Sequence, residues 1–144
     1  MGTLLGRNDF KKQYPAISQG LFLFEKERHI PGEQMVINVG QKLSDALLNV
    51  PPEERSAKAP DILRTLLGED KLITLEHIEI LFTPSLNMNP VAVILSYCRN
   101  RKICVAWPGT IRGELLIYDE PGSPEYYAVN YRGFIDTYII TGGM

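Results

Sequence analysis

A carboxylate at the end of an apolar strand can serve metal-dependent chemistry, and Glu76 is such a residue. It closes the run Leu72, Ile73, Thr74, Leu75 and is followed by His77. There it can position the water ligands of a magnesium ion, or the attacking water itself. The paired-acid pattern for that task, four apolar residues and then Asp-Glu, is reduced here to one carboxylate at the first position and His77 at the second. The plain alternative is a strand-end Glu facing solvent, with His77 and Glu79 on the outer side of the turn that follows.

Two other groups of side chains bear on function. Arg99, Asn100, Arg101 and Lys102 form the one concentrated basic run. Arginine presents a rigid fork suited to phosphate or carboxylate, so Arg99, Arg101 and Lys102 are candidates for contact with a nucleotide, a partner subunit or a nucleic-acid backbone. The bland reading is a solvated charge run, and it is too short to carry strong DNA binding alone. Tyr118, Tyr126, Tyr127 and Tyr131 lie near Asp119, Glu120 and Glu125. Aromatic rings with polar tips are common at protein interfaces, which makes Tyr118, Tyr126 and Tyr127 interface candidates. Stacking of single-stranded bases is the competing use, weakened by the acidic residues from Glu114 to Asp136. Trp107, Pro108 and Gly109 close the strand after the basic run and read as a core or loop anchor.

What is missing upstream limits all of this. A phosphate loop needs successive backbone N–H groups, a Lys for the β- and γ-phosphates, and a Ser or Thr hydroxyl on magnesium. Between Leu23 and Val36 stand Glu25, Lys26, Glu27, Arg28, His29 and Ile30, which supply no glycine nest. Lys26 sits between two glutamates that repel a triphosphate.

The chain of 144 residues fits one domain over 1–144. Its 44% hydrophobic and 22% charged residues are those of a globular protein, without a membrane-length apolar run. A net charge of -2 excludes tight binding to a polyanion by long-range attraction alone. Cys98 and Cys104 have no metal-ligand spacing and read as reduced, buried thiols. The N-terminus has no continuous apolar signal region, so the expected location is the cytoplasm, and no membrane is expected as a partner.

The elements that must position these residues follow from periodicity. Residues 4–17, interrupted by Pro15, read as part of an N-terminal arm or short helix over 1–17 covering one edge of a sheet. Leu21 to Phe24 is a buried strand, and the residues from Glu25 through Pro31 and Gly32 are turn signals. Met35 to Val39 is a second strand. Leu43, Leu47 and Leu48 recur at helical spacing between Gly40 and Pro51. PPEERSAKAP reads as a loop leading to a helix from about Pro60 that ends at Gly68. Leu72 to Leu75 is a third strand, Ile78 to Phe82 a helical turn, and Pro90 to Cys98 a helix. Ile103 to Ala106 is a fourth strand apolar on both faces, as in a parallel sheet covered on both sides. Leu115 to Tyr118 and Phe134 to Ile140 are expected as fifth and sixth strands. The fold class is α/β, with a mainly parallel sheet and helices on both faces.

Taken in order, INVGQKLSDALLNVPPEER, LEHIEILFTPSLNMNP, SYCRNRKICVAWPG and LLIYDEPGSPEY resemble the BrxF family, the small P-loop-containing component of type III BREX phage-defence systems. The resemblance spans roughly residues 35–127. It implies a P-loop NTPase-like core of the AAA-related or signal-transducing kind, here degenerate because the phosphate loop is missing. It also implies work beside other defence-system proteins. On that comparison Glu76 occupies the acidic position of the nucleotide site. The expected function is a non-catalytic or degenerate ATPase-like subunit acting through protein–protein assembly. One alternative is an ATPase completed across a subunit interface of a homo-oligomer, with ATP and Mg2+ as cofactors. The other is an accessory DNA-binding subunit using Arg99 to Lys102. No resident cofactor and no protein-held metal are expected.

Overall fold

The computed structural model describes residues 2–25 and 35–141. The expected charged turn, including Lys26, His29, Pro31 and Gly32, lies outside the described residues. The chain opens with strand β1 (Thr3–Leu5), helix α1 (Arg7–Gln13) and strand β2 (Gly20–Phe24). Strand β3 (Met35–Asn38) leads into α2 (Val39–Leu47), α3 (Arg55–Leu67) and β4 (Leu72–Glu76). A 3-10 turn over Ile78–Phe82 precedes α4 (Pro90–Ser96) and β5 (Lys102–Ala106). Three short strands follow, β6 (Thr110–Arg112), β7 (Leu115–Tyr118) and β8 (Tyr127–Asn130), and then β9 (Thr137–Ile140).

Six strands form one sheet in the order β1-β9-β2-β5-β4-β3, every neighbouring pair parallel. Central β2 is buried at all five positions. Successive side chains on a strand point to opposite faces, so Leu21 and Leu23 enter one core and Phe22 and Phe24 the other. The larger core gathers β3, β4, β5 and β9 with α2, α3 and α4 through Leu43, Leu63, Ile73, Leu75, Val91 and Ile94. The smaller is aromatic: α1 sets Phe10 edge-on to Phe22 and Phe24, while Tyr138 stacks on Phe22 at 4.9 Å. The sheet therefore has helices on both faces, as the strand pattern predicts.

Some boundaries move, for local reasons. The expected arm contains a strand as well as a helix, because Thr3 to Leu5 pair with Tyr138 to Ile140 and extend the sheet edge. The segment read as a loop, PPEERSAKAP, is a 3-10 turn over Pro52–Glu54 and the first part of α3. Pro60 lies inside that helix rather than at its start. Arg55 Nε donates to the carbonyls of Leu47 and Val50, and Glu54 pairs with Lys58 at 3.0 Å, which ties the early start down. The expected fifth strand does not join the parallel sheet. β7 instead lies between β6 and β8 in a three-stranded antiparallel sheet. The links on either side of β7, residues 113–114 and 119–126, suit antiparallel neighbours, whereas a parallel neighbour needs a crossover of about a dozen residues or more. At Gly109 the entry to this sheet passes so close to Ile117 that a Cβ would stand 1.8 Å from its carbonyl oxygen.

Candidate functional site

In open parallel sheets, ligands bind outside the carboxyl ends of the strands. Here that edge carries Glu76, half-buried as the last residue of β4 and paired in register with Asn38. Asn38 caps α2, its Oδ1 accepting from Gln41 N at 3.0 Å. After Glu76 the backbone turns sharply, with His77 in the left-handed conformation at φ 55° and ψ 53°. The carbonyl of His77 lies against Gly40, where a Cβ would stand 3.0 Å away, so the exit of β4 packs on the first turn of α2. The imidazole of His77 faces solvent. Among the described residues Glu76 has no ion-pair partner, and no group of three metal-ligating side chains exists.

Trp107 follows β5 at the same edge and is buried. Its indole N–H is spent inside the chain, donating to the carbonyls of Thr110 and Ile117 at 3.1 and 3.2 Å. It therefore anchors the small sheet to the large one. Phe82, the last residue of the 3-10 turn, joins the same cluster: it stacks on Tyr118 at 4.1 Å and meets Trp107 and Tyr127 at steeper angles. The Tyr127 hydroxyl donates to Asn89 Oδ1 at 2.7 Å, and burial pushes its pKa up to about 12. Tyr131 is buried, with its hydroxyl on the carbonyl of Gly113. Of the tyrosines weighed as interface candidates, Tyr118 and Tyr127 are packed in this cluster and Tyr126 is exposed.

The basic run stands at the opposite edge. Lys102 begins β5 and is in register with Leu72, whereas Glu76 lies at the far end of β4. Four residues of strand separate them, about 13 Å along the sheet. The three cations also differ in kind. Arg101 is buried, and its two terminal nitrogens donate to the carbonyls of Leu67 and Gly68 at 2.9 and 2.8 Å, closing the end of α3. Those carbonyls have no partner within the helix, and a guanidinium there also meets the negative end of the helix dipole. Lys102 donates to the carbonyl of Tyr14 at 2.8 Å and sits 4.0 Å from the centre of its ring. Arg99 is exposed and has no hydrogen-bond or ion-pair partner among the described residues. Cys98 and Cys104 are buried thiols outside any disulfide; burial first of all lifts Cys98 to about 12.

Glu76 and the cations, grouped by type in the sequence, are therefore held apart by the fold. The sequence reading missed Arg64 and Lys71, which the ends of α3 and β4 bring to the Arg99 corner. Strand register could have found Lys71, which directly precedes Leu72 just as Arg101 precedes Lys102, whereas no strand pairing points to Arg64 on α3. No helix of the described residues is long and apolar enough to cross a membrane. No model of a known protein family, no curated protein and no solved structure matches the chain.

Proposed function

We propose that this chain is a degenerate ATPase-like subunit of a BREX-like defence complex that works through protein–protein assembly rather than by turning over nucleotide. The observation that carries the reading is the separation of Glu76 from Arg99, Arg101 and Lys102 by the length of the sheet. A single chain so arranged brings no cation of that run to a phosphate held beside Glu76. Arg101, the candidate charge stabiliser of the ATPase alternative, is committed to the end of α3. Trp107 fills the strand-end position beside Glu76 with a ring whose N–H is already bonded.

The small sheet supports the assembly side of the proposal. Its inner face is tied to the large sheet by Trp107, Tyr118 and Tyr127, and it leaves Leu115 and Tyr126 at 39% and 41% exposure. Those two residues are where a partner docks in this reading. The test is native mass measurement of the chain produced alone and together with the proteins encoded beside it. The proposal expects a defined complex that Tyr126→Asp weakens. A chain that stays alone in both preparations would overturn it.

A further inference from the structure

The Arg99 corner is concave. A depression of about 540 Å³ opens there, lined by Arg64, Glu69, Lys71, Tyr97, Arg99 and Arg101 among others. Its volume lies in the range of small-ligand clefts, about 300–1,000 Å³. The cations come from three separate elements. Arg64 stands on the last turn of α3, Lys71 precedes β4, and Arg99 and Arg101 precede β5. Lys102 N bonds the carbonyl of Lys71 at 2.8 Å, so the two strand starts that carry the cations are joined side by side.

Some of this charge is already answered. Arg64 pairs with Asp61 at 3.2 Å, both side chains mostly exposed. Two arms of Arg101 are held by the end of α3, and the last carbonyls of α4 accept from Tyr97 N and Cys98 N. What remains among the described residues is Arg99, without a partner, and Lys71, whose ammonium donates to the carbonyl of Asn100 at 3.3 Å. Among the described residues Glu69 is the one carboxylate in the lining. Arg101, 8% exposed, is fixed by its bonds to the end of α3, and its Nε, without a hydrogen-bond partner among the described residues, is shielded from solvent, so Arg101 adds positive charge to the lining rather than a free donor.

We propose that this depression binds a phosphomonoester dianion. A phosphate with three acceptor oxygens suits the planar fork of Arg99 and the point charge of Lys71, with the fixed charge of Arg101 behind them. A flat protein surface would not fill a hollow of this size. The half-buried ring of Tyr97, fixed by its hydroxyl on the carbonyl of Pro60 at 2.7 Å, forms a wall against which the organic part of the ester lies. The site is at the opposite edge of the sheet from Glu76, so it is independent of any nucleotide site at the strand ends. The phosphate has two sources, a free mononucleotide or the 5′-phosphate end of a nucleic-acid strand.

Calorimetry on the full chain tests this with four probes: adenosine monophosphate, adenosine, and one short oligonucleotide with and without its 5′-phosphate. The expected result is saturable binding of the phosphomonoester forms and none of their phosphate-free counterparts, without a magnesium requirement. The tighter of adenosine monophosphate and the phosphorylated strand names the source. Arg99→Ala and Lys71→Ala, both at exposed positions, should each weaken binding roughly tenfold or more. Glu76→Gln should leave it unchanged. Equal binding of phosphorylated and phosphate-free probes, binding untouched by Arg99→Ala, or no saturable binding of either phosphomonoester would overturn the proposal. So would an acidic peptide taking the Arg99-dependent site while phosphomonoesters do not.

Discussion

Replacing Arg101 by Ala removes two charge-assisted hydrogen bonds to the end of α3, at 2.8 and 2.9 Å. Bonds to a charged group contribute about 1.5–3 kcal/mol each when buried. The bond to Leu67 is buried and counts in full, whereas the one to Gly68 is partly solvated and counts for less. The desolvation cost of burying the guanidinium disappears with it and offsets part of the loss. The net expectation is a destabilisation of about 2 kcal/mol. With a urea dependence of about 2 kcal/mol per molar, the midpoint falls by about 1 M. The sole tryptophan, Trp107, is buried in the core and gives a fluorescence signal for the transition. Arg99→Ala, two residues away and exposed without a partner among the described residues, should stay within about 0.5 kcal/mol of the native chain. Equal stability losses for the two variants, or none for Arg101→Ala, would refute the division of the basic run into a structural and a free arginine.

Gly109→Ala places a Cβ 1.8 Å from the Ile117 carbonyl oxygen and 2.9 Å from the Tyr118 Cα, so strands β6 and β7 must separate. It should cost about 3 kcal/mol in the same urea assay, whereas Gly133→Ala, with nothing within 4 Å, should be nearly silent. Burial raises the folded pKa of Cys98 from its ordinary 9.0 to about 12. The folded chain then holds its thiol proton where the unfolded chain has released it. The corresponding stability is present in full below pH 9 and is lost as pH rises toward 12. Denaturation series across that window should show a decline that Cys98→Ala makes shallower; an unchanged slope would contradict the assignment.

Several parts of the fold were legible because they rest on local periodicity. The run Leu21 to Phe24, apolar on both faces, read as a buried strand, and the structure makes it the central β2. Gly68 marked the end of α3, and Ile78 to Phe82 read as a helical turn. Boundaries failed where long-range contacts decided them. Nothing near Pro60 announces that Arg55 will bond the carbonyls of Leu47 and Val50 and start the helix early. Leu115 to Tyr118 had the composition of a strand, and composition does not say which sheet it joins. The candidate site failed in the same way. Residue type found Glu76 and the basic run, but only register shows that β4 carries the former at one end and meets the latter at the other. Arg99 and Arg101 look alike in sequence, and only the end of α3, more than thirty residues upstream, tells them apart.

The claim on which the functional reading rests is that one chain does not assemble a nucleotide-cleaving site around Glu76. Its most direct measurement is phosphate release from ATP with magnesium by the purified chain and by its Glu76→Gln variant. The account predicts the same release from both, at the level of buffer alone. Magnesium-dependent turnover by the native chain that Glu76→Gln abolishes, with folding unchanged, would contradict it.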